Sequence, residues 1–66
     1  MNLPRLKSFW KHKEKNARYE VMYIANEHTT RPEEFPITVV YKSVETGNIW
    51  CRTLDEWLIR VEPITN

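Results

Sequence analysis

Between Ile37 and Val61 the chain has little freedom in how it folds. Ile37-Thr38-Val39-Val40-Tyr41 is a run of β-branched and aromatic residues, the composition of a strand, which we extend from Ile37 to Ser43. Val44-Glu45-Thr46-Gly47-Asn48 follows and holds the only glycine of the chain, where a positive φ would close a hairpin. Ile49 to Arg52 is then the returning strand. Directly behind it, Thr53-Leu54-Asp55-Glu56 has the form of a capping box, in which the Thr53 hydroxyl and the Glu56 carboxylate each satisfy the other's free amide. Asp55 adds negative charge where the helix dipole favours it. Leu54, Trp57, Leu58 and Val61 fall at i, i+3, i+4 and i+7, one apolar stripe. Pro63 is expected to stop the helix.

Upstream, the pattern is also β. Ser8 to His12 can form a brief strand, and Lys13 to Ala17 is polar enough for a turn, with Asn16 best suited to a left-handed conformation. From Arg18 to Asn26 the side chains alternate: Tyr19, Val21, Tyr23 and Ala25 on one face, Glu20, Met22, Ile24 and Asn26 on the other. Both faces carry apolar groups, which implies a strongly bent or central strand and leaves the inner face open. Glu27 to Pro36 is a polar loop punctuated by two prolines, of the kind that often carries function. Residues 1–7 are expected to be a flexible lead-in, and residues 8–66 a single small β-rich domain.

Short strands, tight turns and one helix near the end define a mainly β (α+β) chain. The expected fold is a small bent antiparallel sheet, best matched by an SH3-like partly open barrel with one short C-terminal helix. A meander of three or four strands with a packed helix is the near alternative.

Sixty-six residues make one domain, and a chain this short buries only about 60% of its unfolded surface. Cys51 is the only cysteine, so no intrachain disulfide can reinforce it. Cys51, His12 and His28 lack the number and spacing of zinc ligands, and no cofactor or metal is expected. Stability must come from large side chains: three Trp, three Tyr and two Phe, each burying about 150–250 Å². No apolar run reaches the roughly 20 residues of a membrane span, and the first residues lack the apolar core of a signal peptide. A cytoplasmic protein is expected.

The net charge of +1 conceals a division. Arg5, Lys7, Lys11, Lys13, Lys15 and Arg18 face Glu14 alone over residues 1–18, whereas the remainder of the chain is acidic. Such a segment is either a footprint for an acidic partner such as nucleic acid or a solvated edge whose charges meet opposite ones across the fold.

The motifs also resemble a known family. Trp10 and His12, Tyr19 and Val21, Ala25 with His28, Val39-Val40-Tyr41, and Trp50, Arg52 and Leu54 stand in an order similar to a family of small bacterial and phage domains of unknown function. Its members run Tyr-x-His-x-Lys-Gly, Tyr-x-Val-Leu, Ala-x-His, Val-Val-Tyr and Trp-x-Arg-Pro-Leu-x-x-Phe. In this chain Thr53 replaces the Pro and Trp57 the Phe, no Gly follows the first motif, and His28 is displaced by one residue. The resemblance spans residues 9–61. It implies a compact β-rich module, frequently an accessory protein of phage or prophage, and it implies no catalytic residues.

No catalytic grouping is present. Cys51, between Trp50 and Arg52 on a strand, reads as a buried structural cysteine, since Arg52 points to the other face. His12 and His28 read as polar loop-edge residues, and Glu33-Glu34 beside Arg31 as a solvated charge cluster. Trp50 and Trp57 are expected in the core. For Trp10 and Tyr23 a core and a partner-facing position both stay open. Exposed aromatics next to basic residues suit either a protein hot spot or base stacking. The candidate partner-binding residues are therefore Trp10, Lys11, His12, Lys13, Lys15, Arg18 and Tyr23. The expected function is a non-catalytic binding or adaptor module acting through protein–protein contacts, with a homodimer compatible. A nucleic-acid-binding protein is the alternative.

Overall fold

The computed structural model describes residues 3–64. The outermost residues of the lead-in and of the C-terminus, 1–2 and 65–66, lie outside them. The described chain runs β1 (Phe9–His12), β2 (Arg18–Ala25), β3 (Thr38–Ser43), β4 (Ile49–Thr53), α1 (Leu54–Arg60) and β5 (Val61–Pro63). All pairings are antiparallel, in the order β4-β3-β2-β1-β5. The result is the expected mainly β architecture, an open sheet with one short helix. α1 joins the two edge strands. Among the described residues no helix is long and apolar enough to cross a membrane.

The hairpins form where local chemistry allows. Gly47 takes φ 78°, and the β3–β4 turn is closed by the Gly47 amide donating to the Ser43 carbonyl at 2.8 Å. In the β1–β2 turn the left-handed residue expected at Asn16 is absent; among the described residues the positive φ values outside glycine belong to Lys7 and Asn26. His12 organises this turn instead. It is only 6% exposed, and its Nδ1 accepts from the amides of Glu14 and Lys15, both at 3.1 Å. A loop-edge position is thus corrected to a buried turn anchor, because two adjacent amides there need an acceptor.

β2 resolves its ambiguity with a bulge. Val21 pairs with Tyr41, but Tyr23 pairs with Val40, so the register shifts at Met22. One extra residue reverses the alternation. Before the bulge Tyr19 and Val21 face inward; after it Ile24 does, and Tyr23 turns out, 65% exposed.

Thr53 caps α1, its hydroxyl accepting from the Glu56 amide at 3.3 Å. The Glu56 carboxylate lies 3.7 Å from Arg60. Leu54 and Trp57 bury the helix against the sheet while Leu58 is exposed, which narrows the expected stripe. The helix ends before Pro63: Val61 is already extended and begins β5, pairing with His12. Pro63 sits on this edge strand, where a missing N–H is tolerated. The core is Val21, Val39, Tyr41, Leu54, Trp57 and Val61. The lead-in from Leu3 on lies against the sheet: Leu3 packs on this core, Pro4 is buried, and the Lys7 amide donates to the Val21 carbonyl at 2.6 Å.

Candidate functional site

The inner face of the sheet is only half covered. Cross-strand register sets Trp10 opposite Tyr19 and Tyr41 opposite Trp50 on that face, and Tyr19 meets Tyr41 diagonally, so the four rings form one oblique row, with Ser43 opposite Tyr19 and Arg52 opposite Val39. α1 closes the end holding Val39, Leu54 and Trp57. The other end stays open as a cleft of about 350 Å³, walled by Tyr19, Tyr41, Trp50 and Arg52 and closed by Lys15 and Asn48 from the two hairpin turns.

Its walls are fixed by packing rather than by loops. Tyr41 sits edge-on to Tyr19 at 4.9 Å between ring centroids and 4.7 Å from the Trp57 ring. Trp10 completes the group at 5.4 Å from Trp57, its Nε1 donating to the Ser8 hydroxyl at 2.9 Å. Among the described residues the buried Trp57 Nε1 finds no hydrogen-bond acceptor in this aromatic surround. The Arg52 Nε donates to the Tyr41 hydroxyl at 3.0 Å, which orients the guanidinium and leaves its remaining N–H groups for a ligand. Burial, then the neighbouring Tyr41 phenol, pushes the Tyr19 phenol above its usual range, with Arg52 opposing. Among the described residues no acidic one lines the cleft, so it presents two cations, three aromatic rings and several neutral polar groups.

Trp50 is 55% exposed, which corrects its expected place in the core. Cys51 is also exposed rather than buried. One cause serves both: β4 is an edge strand covered by α1 only near its end. Cys51 alternates to the outer face, away from Arg52 and from the cleft.

The seven residues singled out in the sequence do not converge. Trp10 is half-buried on Trp57 and His12 is buried in its turn. Lys11 points to the outer face, 3.8 Å from Glu62. The Lys13 ammonium donates to the Leu58 carbonyl at 3.4 Å, near the end of α1. Arg18 is held by Glu45 at 2.8 Å, and this contact first of all keeps the Glu45 carboxyl below its usual range. Tyr23 lies on the outer face. Lys15 alone lines the cleft. Sequence reasoning missed Tyr19, Tyr41 and Arg52 as a group; the signal that could have found them is the pairing of Val-Val-Tyr with Trp-x-Arg across a five-residue turn.

The long loop carries less. Asn26 pins it, with φ 59° and its side-chain amide donating to the Pro36 carbonyl at 3.0 Å. Arg31 lies 3.5 Å from Glu34 and 5.4 Å from the Phe35 ring centre, the solvated cluster expected there. His28 is exposed. Among the described residues no group of His, Cys, Asp and Glu is arranged to hold a metal ion.

No protein-family model, no curated protein and no solved structure matches this chain.

Proposed function

We propose that this chain is a non-catalytic binding module that receives an extended segment of a partner protein in the Tyr19–Tyr41–Trp50–Arg52 cleft. The observation that carries this reading is that the aromatic row runs out of the core into solvent, ending on Trp50 beside an oriented guanidinium. An exposed Trp50 beside the half-buried Tyr19 and Arg52 brings together the residue types that dominate protein–protein hot spots. With Lys15 and Arg52 lining the cleft and no carboxylate opposing them, a segment that places an acidic side chain beside an apolar or aromatic one is the complementary ligand. The one thiol lies on the opposite face of the sheet, so the groups gathered in the cleft are suited to recognition rather than to covalent chemistry.

An array of extended peptides varied in acidic and aromatic content tests this directly. Retention should require both a carboxylate and a ring, and it should be lost in Arg52→Ala and in Trp50→Ala. Nuclear magnetic resonance should then place the shifts on Tyr19, Tyr41 and the Trp50 indole. Shifts confined to the Glu27–Pro36 loop would reject the cleft as the site.

Nucleic acid is the second reading, supported by the same pairing of rings with cations. Two cations of the basic segment already face carboxylates, Lys11 on Glu62 and Arg18 on Glu45, which lessens its field. If nucleic acid is nevertheless the ligand, affinity should fall steeply with salt, and replacing Lys11, Lys13 and Lys15 with Gln should flatten that slope.

A further inference from the structure

The two edges of the sheet differ in how they are protected. β5 is three residues long and carries Glu62 and Pro63, both effective guards against pairing with another strand. β4 carries no proline, lysine or acid: its residues are Ile49, Trp50, Cys51, Arg52 and Thr53. Ile49 is 57% exposed, and Trp50 and Cys51 are exposed beside it. The elements packed against β4 are β3 on one side and α1 at its end. Its other side is a row of backbone donors and acceptors.

Hydrogen-bond parity identifies that row. The Ser43 amide donates to the Asn48 carbonyl at 2.9 Å and the Leu54 amide to the Ile37 carbonyl at 2.8 Å. In an antiparallel ladder bonded pairs alternate with unbonded ones, so Asn48, Trp50, Arg52 and Leu54 bond inward to β3. Ile49, Cys51 and Thr53 therefore turn their amides outward.

We propose that a second copy of this chain pairs with β4, antiparallel, about a two-fold axis through Cys51. Centring on Cys51 makes the strand complementary to itself at every position. Cys51 meets Cys51 of the other copy through a reciprocal pair of backbone bonds, and Ile49 meets Thr53 on the outer face. On the inner face Trp50 meets Arg52, a cation over an indole ring, and the symmetry repeats that contact. The Tyr41 hydroxyl already steadies Arg52 at 3.0 Å, so little ordering remains to be done on pairing. The two clefts would then adjoin across the axis. A short strand buries little area, so the dimer is of the weak, concentration-dependent kind.

The test is sedimentation equilibrium of the purified full chain over a wide concentration range, beside Ile49→Lys and Ile59→Lys. Both replaced side chains are exposed, and circular dichroism verifies that each variant remains folded. The wild type and Ile59→Lys should pass from monomer to dimer as concentration rises, and Ile49→Lys should stay monomeric. A short bifunctional thiol reagent should join two Cys51 residues much faster in the wild type than in Ile49→Lys. Bonded antiparallel partners lie about 5.5 Å apart at Cα, within reach of such a link. A wild type that stays monomeric at every concentration would overturn the proposal. So would a dimer that Ile49→Lys leaves intact, or thiol coupling equally fast in both. Peptide binding to the cleft by a strictly monomeric protein would separate the failure of this dimer from the reading of the cleft.

Discussion

The covered and uncovered ends of the inner sheet face are built from the same kinds of residue and do opposite things. At the covered end Trp57, fully buried, closes Val21, Val39, Tyr41 and Val61 under a single short helix. At the uncovered end Trp50 stands on the same face of the same sheet and is left exposed. The difference lies in the reach of α1, seven residues long, which spans about 10 Å and cannot cover both ends. In a domain this small an aromatic residue becomes core or surface according to how far one helix extends. Hydrophobicity alone does not decide it.

Trp57→Ala should give the largest effect and is the most direct way to break the comparison. Removing a fully buried indole should cost about 3–5 kcal/mol, enough to unfold a large fraction of the molecules, which thermal melting would show. An unchanged melt would mean that the two ends are not different. Next is Thr53→Ala, which removes the acceptor for the Glu56 amide and loosens the helix that divides the face. It should cost about 0.5–2 kcal/mol, read from chemical denaturation.

At the open end the expectation reverses. Trp50→Ala should change stability by no more than about 0.5 kcal/mol while abolishing cleft binding; a loss as large as that of Trp57→Ala would mean that Trp50 is core. The smallest effect sharpens the boundary between the ends. Because burial raises the Tyr19 phenol, the folded state holds that proton more tightly than the unfolded chain does. The sign follows: this contribution is fully present below the usual tyrosine range and is lost as pH rises through the raised folded value. Stability measured against alkaline pH should decline less in Tyr19→Phe than in the wild type. Identical slopes would place Tyr19 in solvent.

Most of the element order was legible because it rests on local chemistry. A β-branched run, a lone glycine with positive φ and a threonine three residues before a glutamate each act within one turn of chain. What was not legible depends on which strand lies at an edge. Hydrophobicity puts Trp50 in the core and the turn of Arg52 to the other face puts Cys51 there, yet among the described residues β4 has a strand neighbour on one side only. β5 was hidden because Pro63 reads locally as a helix stop, and only its pairing with β1 makes it a strand. His12 looked like a loop residue until the turn amides it accepts from were in place. The candidate site suffered most. The cationic segment was visible, but the cleft gathers residues from three strands and two turns, and register alone brings them together.

The bulge at Met22 acts on β2 as punctuation acts on a reading frame. Up to Val21 the strand is read in one phase and beyond it in the other, and the apolar side chains on both nominal faces become a consistent message. Inserting one more residue after Met22, with a single bulge kept, would shift the phase again and misassign everything downstream in the strand, sending Ile24 outward and Tyr23 inward. Changing the letter at Met22 while keeping its place should be far milder. For this strand, then, the number of residues carries information that their identities do not.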